Sequence, residues 1–291
     1  MFNQKEKNYV SAYQKNSKTK NSQSIKQRRQ SIGKGLNFAA SEAYKLLRTN
    51  LIFSASFDTE CRIIGVTSAL RGEGKSTTSL NLAYSLAEGG NKTLFIEADM
   101  RIPVVAEVLQ IPKEPGLSHL LAGLNDLKEA VKFSGLVDNL AVITAGEIPP
   151  NPSEMLSSKR MEQVVEVLSK SFDYIIVDLP PVTAVSDALA VSRLLSGMLV
   201  VVRRDYCDQH ALAETIRQME LMDVKVLGFV FNGGNSLKSK YKRYSYKYRK
   251  SYKYAYGYGY GYGKRPKKIM EVPEEYDVNE IPSYKDSDGK E

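Results

Sequence analysis

Cysteine is scarce in this 291-residue chain, with only Cys61 and Cys207. Two isolated thiols give neither a disulfide framework nor the spacing of a metal-ligand set, which fits a reducing, cytoplasmic setting. Histidine is equally scarce, and His119 and His210 read as structural residues. Long apolar runs are missing too. The longest, near Gly197–Val202, is far short of the roughly 20 residues a membrane-spanning helix needs. No apolar leader opens the sequence. Aliphatic residues are nearly absent from residues 1–34 and show no periodicity over 238–291. Such segments cannot bury enough apolar surface to offset the entropy of ordering, so both ends are expected to be disordered. That leaves residues 35–237 as a single folded domain.

What is present is charge, unevenly placed. The net charge is +8, yet residues 1–34 alone carry +8, residues 238–268 carry +12 and residues 271–291 carry −6. The core is therefore near −6, and the basicity belongs to the flanking arms. Basic arms imply anionic partners such as phosphate, acidic lipid or nucleic acid.

Within the core, short β-rich runs alternate with helical patterns. Strands are expected at Arg62–Thr67, Thr93–Ala98, Leu140–Thr144, Tyr174–Asp178, Gly197–Val202 and Val226–Phe231. Helices are expected at Ser76–Glu88, Ser153–Ser171, Ser186–Leu195 and Asp208–Met222. The strands are almost continuously apolar, which fits a sheet buried on both faces. The alternation predicts a doubly wound, mostly parallel α/β sheet of the P-loop NTPase type. An extra amphipathic helix is expected over Ser41–Ser56, with Ser41 as its N-cap and Tyr44, Leu47 and Leu51 along one face.

In such a sheet the chemistry lies beyond the carboxyl ends of the strands. After the first strand comes Ser68-Ala69-Leu70-Arg71-Gly72-Glu73-Gly74-Lys75-Ser76-Thr77, opening directly into a helix. Backbone N–H groups of this loop and the helix N-terminus suit phosphates, and Gly72 and Gly74 permit close approach. Lys75 is placed for the β- and γ-phosphates and Ser76 for Mg²⁺. Ala69 stands where the first glycine of this loop is usual. Two later strands end in acids, Glu97-Ala98-Asp99-Met100-Arg101 and Val177-Asp178-Leu179. A carboxylate there is costly to desolvate unless paired or bound to a cation. Mg²⁺ on nucleotide phosphates fits, with Asp178 acting through water and Asp99 holding metal or accepting a hydroxyl proton. Asn232, ending the last strand, is placed either to bond an adenine edge or to form a turn.

The tail is the most unusual stretch. Ten tyrosines fall between Tyr241 and Tyr262: Tyr241, Tyr244, Tyr246, Tyr248, Tyr252, Tyr254, Tyr256, Tyr258, Tyr260 and Tyr262. The intervening Lys, Arg and Gly supply no apolar face for a strand. Basic residues interleaved with aromatics also suit single-stranded nucleic acid, and charge alone does not separate the two uses.

Taken together these segments resemble the bacterial tyrosine kinases that regulate capsular and exopolysaccharide synthesis. The resemblance spans about residues 40–262 and rests on RGEGKSTT, EADMR, IIVDLPP, GEIPPNPSEML, SEAYKLLRTN and the tyrosine cluster. It implies ATP and Mg²⁺ as cofactors, with Gly72, Glu73, Gly74, Lys75, Ser76 and Thr77 around the phosphates. It further implies metal binding by Ser76 with Asp178, base or metal duty for Asp99, and phosphorylation of the ten tail tyrosines in trans. Glu42, Lys45 and Arg48 match an acid-x-x-basic-x-x-Arg pattern used in ring-like oligomers. Implied partners are a separate membrane-spanning activator, which recruits the cytoplasmic kinase to the inner face of the membrane, and a cognate tyrosine phosphatase. No nucleic acid is expected. The chain departs from the family at Arg71, where Pro is frequent, at Lys45, where Arg is usual, and at Glu97, where Asp is usual. The extra methylene of Glu97 moves its carboxylate by about 1.5 Å, leaving open whether it meets the metal. A partition- or positioning-type ATPase with a DNA- or membrane-binding tail is the rival reading. Such ATPases usually carry lysine where this chain has Leu70.

Overall fold

The computed structural model describes residues 25–54 and 61–233. The tyrosine cluster lies outside the described residues. The sheet has seven strands: β1 (Arg62–Ser68), β2 (Thr93–Glu97), β3 (Lys132–Phe133), β4 (Leu140–Ile143), β5 (Tyr174–Asp178), β6 (Gly197–Arg203) and β7 (Val226–Asn232). Their order is β3-β4-β2-β5-β1-β6-β7. Every pair is parallel except β3 with β4. The doubly wound, mostly parallel sheet expected from the alternation is therefore present. The six expected strands are all there, within about a residue at each end. The two-residue edge strand β3 is too short to leave a periodic signal.

Along each inner strand alternate side chains enter opposite layers. Leu94 and Ile96 of β2 and Ile175 and Val177 of β5 join one apolar cluster, with Met161, Val164 and Leu168. Ile64 and Val66 of β1, Phe95 of β2 and Ile176 of β5 join the other, with Leu80, Leu82 and Leu86. The helices bearing these partners are α8 (Lys159–Ser169) and α3 (Lys75–Glu88) respectively. Burial on both faces is the physical reason the strands read as apolar without alternation.

Four expectations are corrected. The helix α2 runs Phe38–Ser54, starting three residues before the expected Ser41. Asn37 caps it, its Oδ1 accepting from the Ala40 N–H at 3.0 Å. The stretch expected as one helix over Ser153–Ser171 is two, α7 (Pro152–Leu156) and α8, broken where Ser158 accepts from the Met161 N–H as the cap of α8. The stretch Ser186–Leu195 forms only a short α9 (Asp187–Ala190) and a 3₁₀ turn. Residues 25–34, expected to lie outside the folded domain, are also structured. Residues 25–30 form a helix, α1, and Ile32 is buried against the second cluster. The Gly33 N–H donates to Asn81 Oδ1 at 2.9 Å, and Asn81 Nδ2 donates to the Ser31 carbonyl at 2.8 Å. Composition missed this docking because one buried isoleucine and two backbone groups carry it.

The remaining elements are α4 (Val105–Leu109), α5 (Leu117–Ala122) and α6 (Leu127–Ala130), each too short to be periodic, and α10 (Gln209–Leu221). Asp208 caps α10, accepting from the His210 N–H. Among the described residues no helix is long and apolar enough to cross a membrane.

Candidate active site

The loop after β1 turns directly into α3, with Lys75 as the first helical residue. Gly72 and Gly74 have φ of +88° and +92°, values at which a side chain is strained. A Cβ on Gly74 would also stand 2.0 Å from Asn232 Nδ2. Backbone conformation thus requires glycine there, and a side chain would also displace the Asn232 amide. The Glu73 side chain is fully buried and turns inward. Its Oε2 accepts from the Leu70 N–H at 2.7 Å, and its Oε1 from the Arg203 N–H at 3.2 Å. Glu73 therefore braces the loop with its carboxylate and leaves only its backbone for a ligand. Asn232 likewise sits on the loop, its Nδ2 donating to the Glu73 carbonyl at 2.8 Å.

Beneath the loop the three strand-end acids converge but do different work. Lys75 Nζ meets Asp99 Oδ2 at 2.6 Å, and both side chains are about nine-tenths buried. Burial pulls the Lys75 ammonium toward neutrality, but the charges of Asp178, Asp99 and Glu97 outweigh it and hold its pKa above the ordinary value. Glu97 has both oxygens engaged by backbone amides: Oε1 by Val104 and Val105 at 2.6 and 2.8 Å, Oε2 by Ala145 at 3.1 Å. Burial still pushes its carboxyl up to about 7. Glu97 thus fastens β2 to α4 and to the loop after β4. Its longer side chain serves the scaffold.

Asp178 is fully buried, and among the described residues neither of its oxygens meets a donor at hydrogen-bonding geometry. Burial raises its pKa, opposed by the Lys75 charge and by the nearby Ser76 and Ser79 hydroxyls. A buried carboxylate without a full partner is where a cation fits. Ser76 and Asp178, with Asp99 adjoining through Lys75, form an all-oxygen donor set suited to Mg²⁺. Among the described residues no three Asp, Glu, His or Cys side chains form a metal cage.

One pair escaped sequence reasoning. Arg101 grips Asp187 with two bonds, Nε to Oδ2 at 2.8 Å and a second guanidinium nitrogen to Oδ1 at 2.9 Å. Ser153 also donates to Asp187. Burial would raise the Asp187 carboxyl, but the bonds from Arg101 and Ser153 win and hold it below its ordinary value. The ends of β2, α7 and α9 are thereby latched together beside the acids. The only signal was an aspartate in the otherwise apolar stretch DALAV.

Of the charged triplet on α2, Glu42 and Lys45 pair at 2.9 Å on the surface. Arg48 instead donates to the Ser85 carbonyl near the C-terminal end of α3. The three do not share one free face.

Residues 61–225 match the AAA domain family. The tyrosine-protein kinase YwqD of Bacillus subtilis (strain 168) is 37% identical over 205 residues, covering 70% of this chain and 86% of that protein. The chain belongs to the bacterial tyrosine kinases. A second member, tyrosine-protein kinase CpsD of Streptococcus agalactiae, is 35% identical over 204 residues, covering 70% of this chain and 87% of its own length. The solved kinase domain of the Escherichia coli tyrosine kinase ETK superposes with a TM-score of 0.64 at 33% identity, covering 77% of this chain and 80% of that domain. In this bacterial tyrosine kinase Lys75 pairs with Asp99 and lies within the electrostatic reach of Asp178. Gly72, Gly74, Ser76 and Thr77 line the same loop and helix start.

Proposed function

We propose that the chain is an ATP-dependent protein tyrosine kinase that phosphorylates its own C-terminal tyrosines in trans. The observation that carries this reading is the buried Lys75–Asp99 pair beneath a glycine-containing loop, with the buried Asp178 carboxylate within its electrostatic reach. Phosphoryl transfer is mainly positioning and charge stabilisation, and these groups supply both. The loop amides and the α3 N-terminus hold the phosphates, and Lys75 brings its charge to the β- and γ-positions. Ser76 and Asp178 would hold Mg²⁺, which would neutralise phosphate charge there. Asp99 orients Lys75 and receives the tyrosine hydroxyl proton as the phosphorus–oxygen bond forms. ADP leaves with the electrons of the broken bond.

The supporting experiment is incubation of the full chain with ATP and Mg²⁺, followed by mapping of phosphotyrosine. Phosphate on Tyr241–Tyr262 is expected. Modification confined to other residues would refute the tail as substrate, and none at all would refute the kinase.

A ring-like assembly, a membrane-spanning activator that brings the kinase to the inner membrane face, a tyrosine phosphatase and a role in capsular or exopolysaccharide synthesis complete the proposal. Support for the assembly comes from α2. Phe38, Leu46 and Phe53 are 66%, 61% and 83% exposed, and with Glu42 they recur at helical spacing along one stripe. Glu42 and Lys45 are assigned to the contact, whereas Arg48 chiefly ties α2 to α3. Changing Glu42 and Lys45 to alanine should dissociate the assembly with little loss of stability. Arg48→Ala should lower stability by about 1 kcal/mol, the worth of one hydrogen bond. Sedimentation of both variants decides it: an intact assembly in the double variant refutes the contact.

A further inference from the structure

Three successive carbonyls of the phosphate loop are each held from outside by a different side chain. Tyr206 Oη donates to the Arg71 carbonyl at 2.9 Å, Arg203 to the Gly72 carbonyl at 3.0 Å, and Asn232 to the Glu73 carbonyl at 2.8 Å. All three donors come from the ends of β6 and β7 or just beyond. Arg203 also lies 5.2 Å from the centroid of the Tyr206 ring, so the two donors support one another. A trans peptide is planar, with its C=O and N–H on opposite sides. Holding the carbonyls of Arg71, Gly72 and Glu73 toward β6 and β7 therefore turns the N–H groups of Gly72, Glu73 and Gly74 away from them. None of those three N–H groups donates to an acceptor among the described residues. They are the donors a phosphate chain would use.

We infer that Tyr206 is a positioning residue for the phosphate chain of the nucleotide, acting with Arg203 by fixing the direction of the loop amides. It touches no phosphate itself. Its ring is half-exposed, so removal of the hydroxyl opens no core cavity, and among the described residues that hydroxyl bonds to the loop carbonyl of Arg71. Arg203 has a second tie, since its own N–H meets Glu73 Oε1 from the other side of the brace. The inference rests on the reading of this loop as a nucleotide site.

The test uses the full chain and two probes: ADP with Mg²⁺, and tripolyphosphate, which offers a phosphate chain without a base. Both are measured by displacement of a fluorescent ADP analogue from the parent, Tyr206→Phe and Arg203→Met. Losing one neutral hydrogen bond should weaken ADP by about three- to tenfold. Tripolyphosphate should weaken by the same factor, and the unfolding midpoint without nucleotide should fall only slightly, because the lost bond is exposed and water replaces it. Arg203→Met should weaken both probes further, because it removes a charge-assisted donor. Equal binding by parent and Tyr206→Phe overturns the positioning role, and so does a loss confined to ADP, which would place the ring against the base. Failure of the parent to bind ADP would instead sink the nucleotide site itself.

Discussion

Lys75→Met is expected to lower autophosphorylation by about 10²–10³-fold, the scale for removing one preorganised group that stabilises transition-state charge. The motive is the position of Lys75 at the start of α3, directly below the loop and 2.6 Å from Asp99. The variant should also be less stable near neutral pH, an effect that the loop motif alone does not suggest. Lys75 offsets the charges of Asp99, Asp178 and Glu97, and without it buried carboxylates lose their main counter-charge. The pH dependence has a definite sign. The Asp178 pKa is raised in the folded protein even with Lys75 present, and removing the cation raises it further. The folded state then binds protons more tightly than the unfolded chain. The deficit is present above the folded pKa and relieved as pH falls through it. Unfolding midpoints of parent and variant should therefore converge on acidification, while kinase activity stays lost. Near-normal phosphotyrosine in the variant would remove this loop as the active site. A stability difference independent of pH would show that the buried charges are not its cause.

Breaking the Arg101–Asp187 latch should cost about 2–4 kcal/mol, somewhat under the usual range for a buried pair. Asp187 is fully buried, but the Arg101 side chain is 41% exposed, so water softens the loss. Arg101→Ala leaves the carboxylate with Ser153 as its remaining side-chain donor. Arg101→Lys should recover only part of the loss, because an ammonium cannot reproduce the two-pronged grip. Asp187 titrates below its ordinary value of 3.8 in the fold. Its pairing thus contributes stability that is present above that value and lost as pH falls through the folded pKa. Denaturant titrations at neutral pH should show the full gap between parent and Arg101→Ala, and titrations near pH 3 a smaller one. Activity should fall as well, since Arg101 lies two residues after Asp99 and the latch fixes the strand end that carries it. A variant as stable as the parent would refute the latch.

The part of the site that was legible consists of residues close in sequence. RGEGKST declared a strand–loop–helix phosphate site because backbone geometry, glycine placement and the helix start are local properties. Asp99 and Asp178 were legible because a carboxylate closing an apolar strand is conspicuous against its neighbours. Glu97 followed the same pattern and was ambiguous, since only the three amides around it reveal that it fastens the scaffold. On α2 the spacing of Glu42, Lys45 and Arg48 put all three on one face, yet Arg48 bends to a carbonyl of α3. Spacing fixes where a Cα lies on a helix, but a long flexible side chain goes to whichever acceptor the packing brings near.

The sequence by itself determined the class of sheet, the loop that cradles phosphates, the two acids beneath it and the tyrosine-rich tail. Each is written in periodicity, composition or contiguous motif. The tertiary structure alone decided what holds those parts in register. Residues 31–33 dock on Asn81, Arg101 closes on Asp187, and the ends of β6 and β7 reach back to the loop after β1. These contacts join residues about 50 to 160 positions apart. No local pattern encodes them, because each depends on which strands become neighbours once the apolar faces of the sheet are covered.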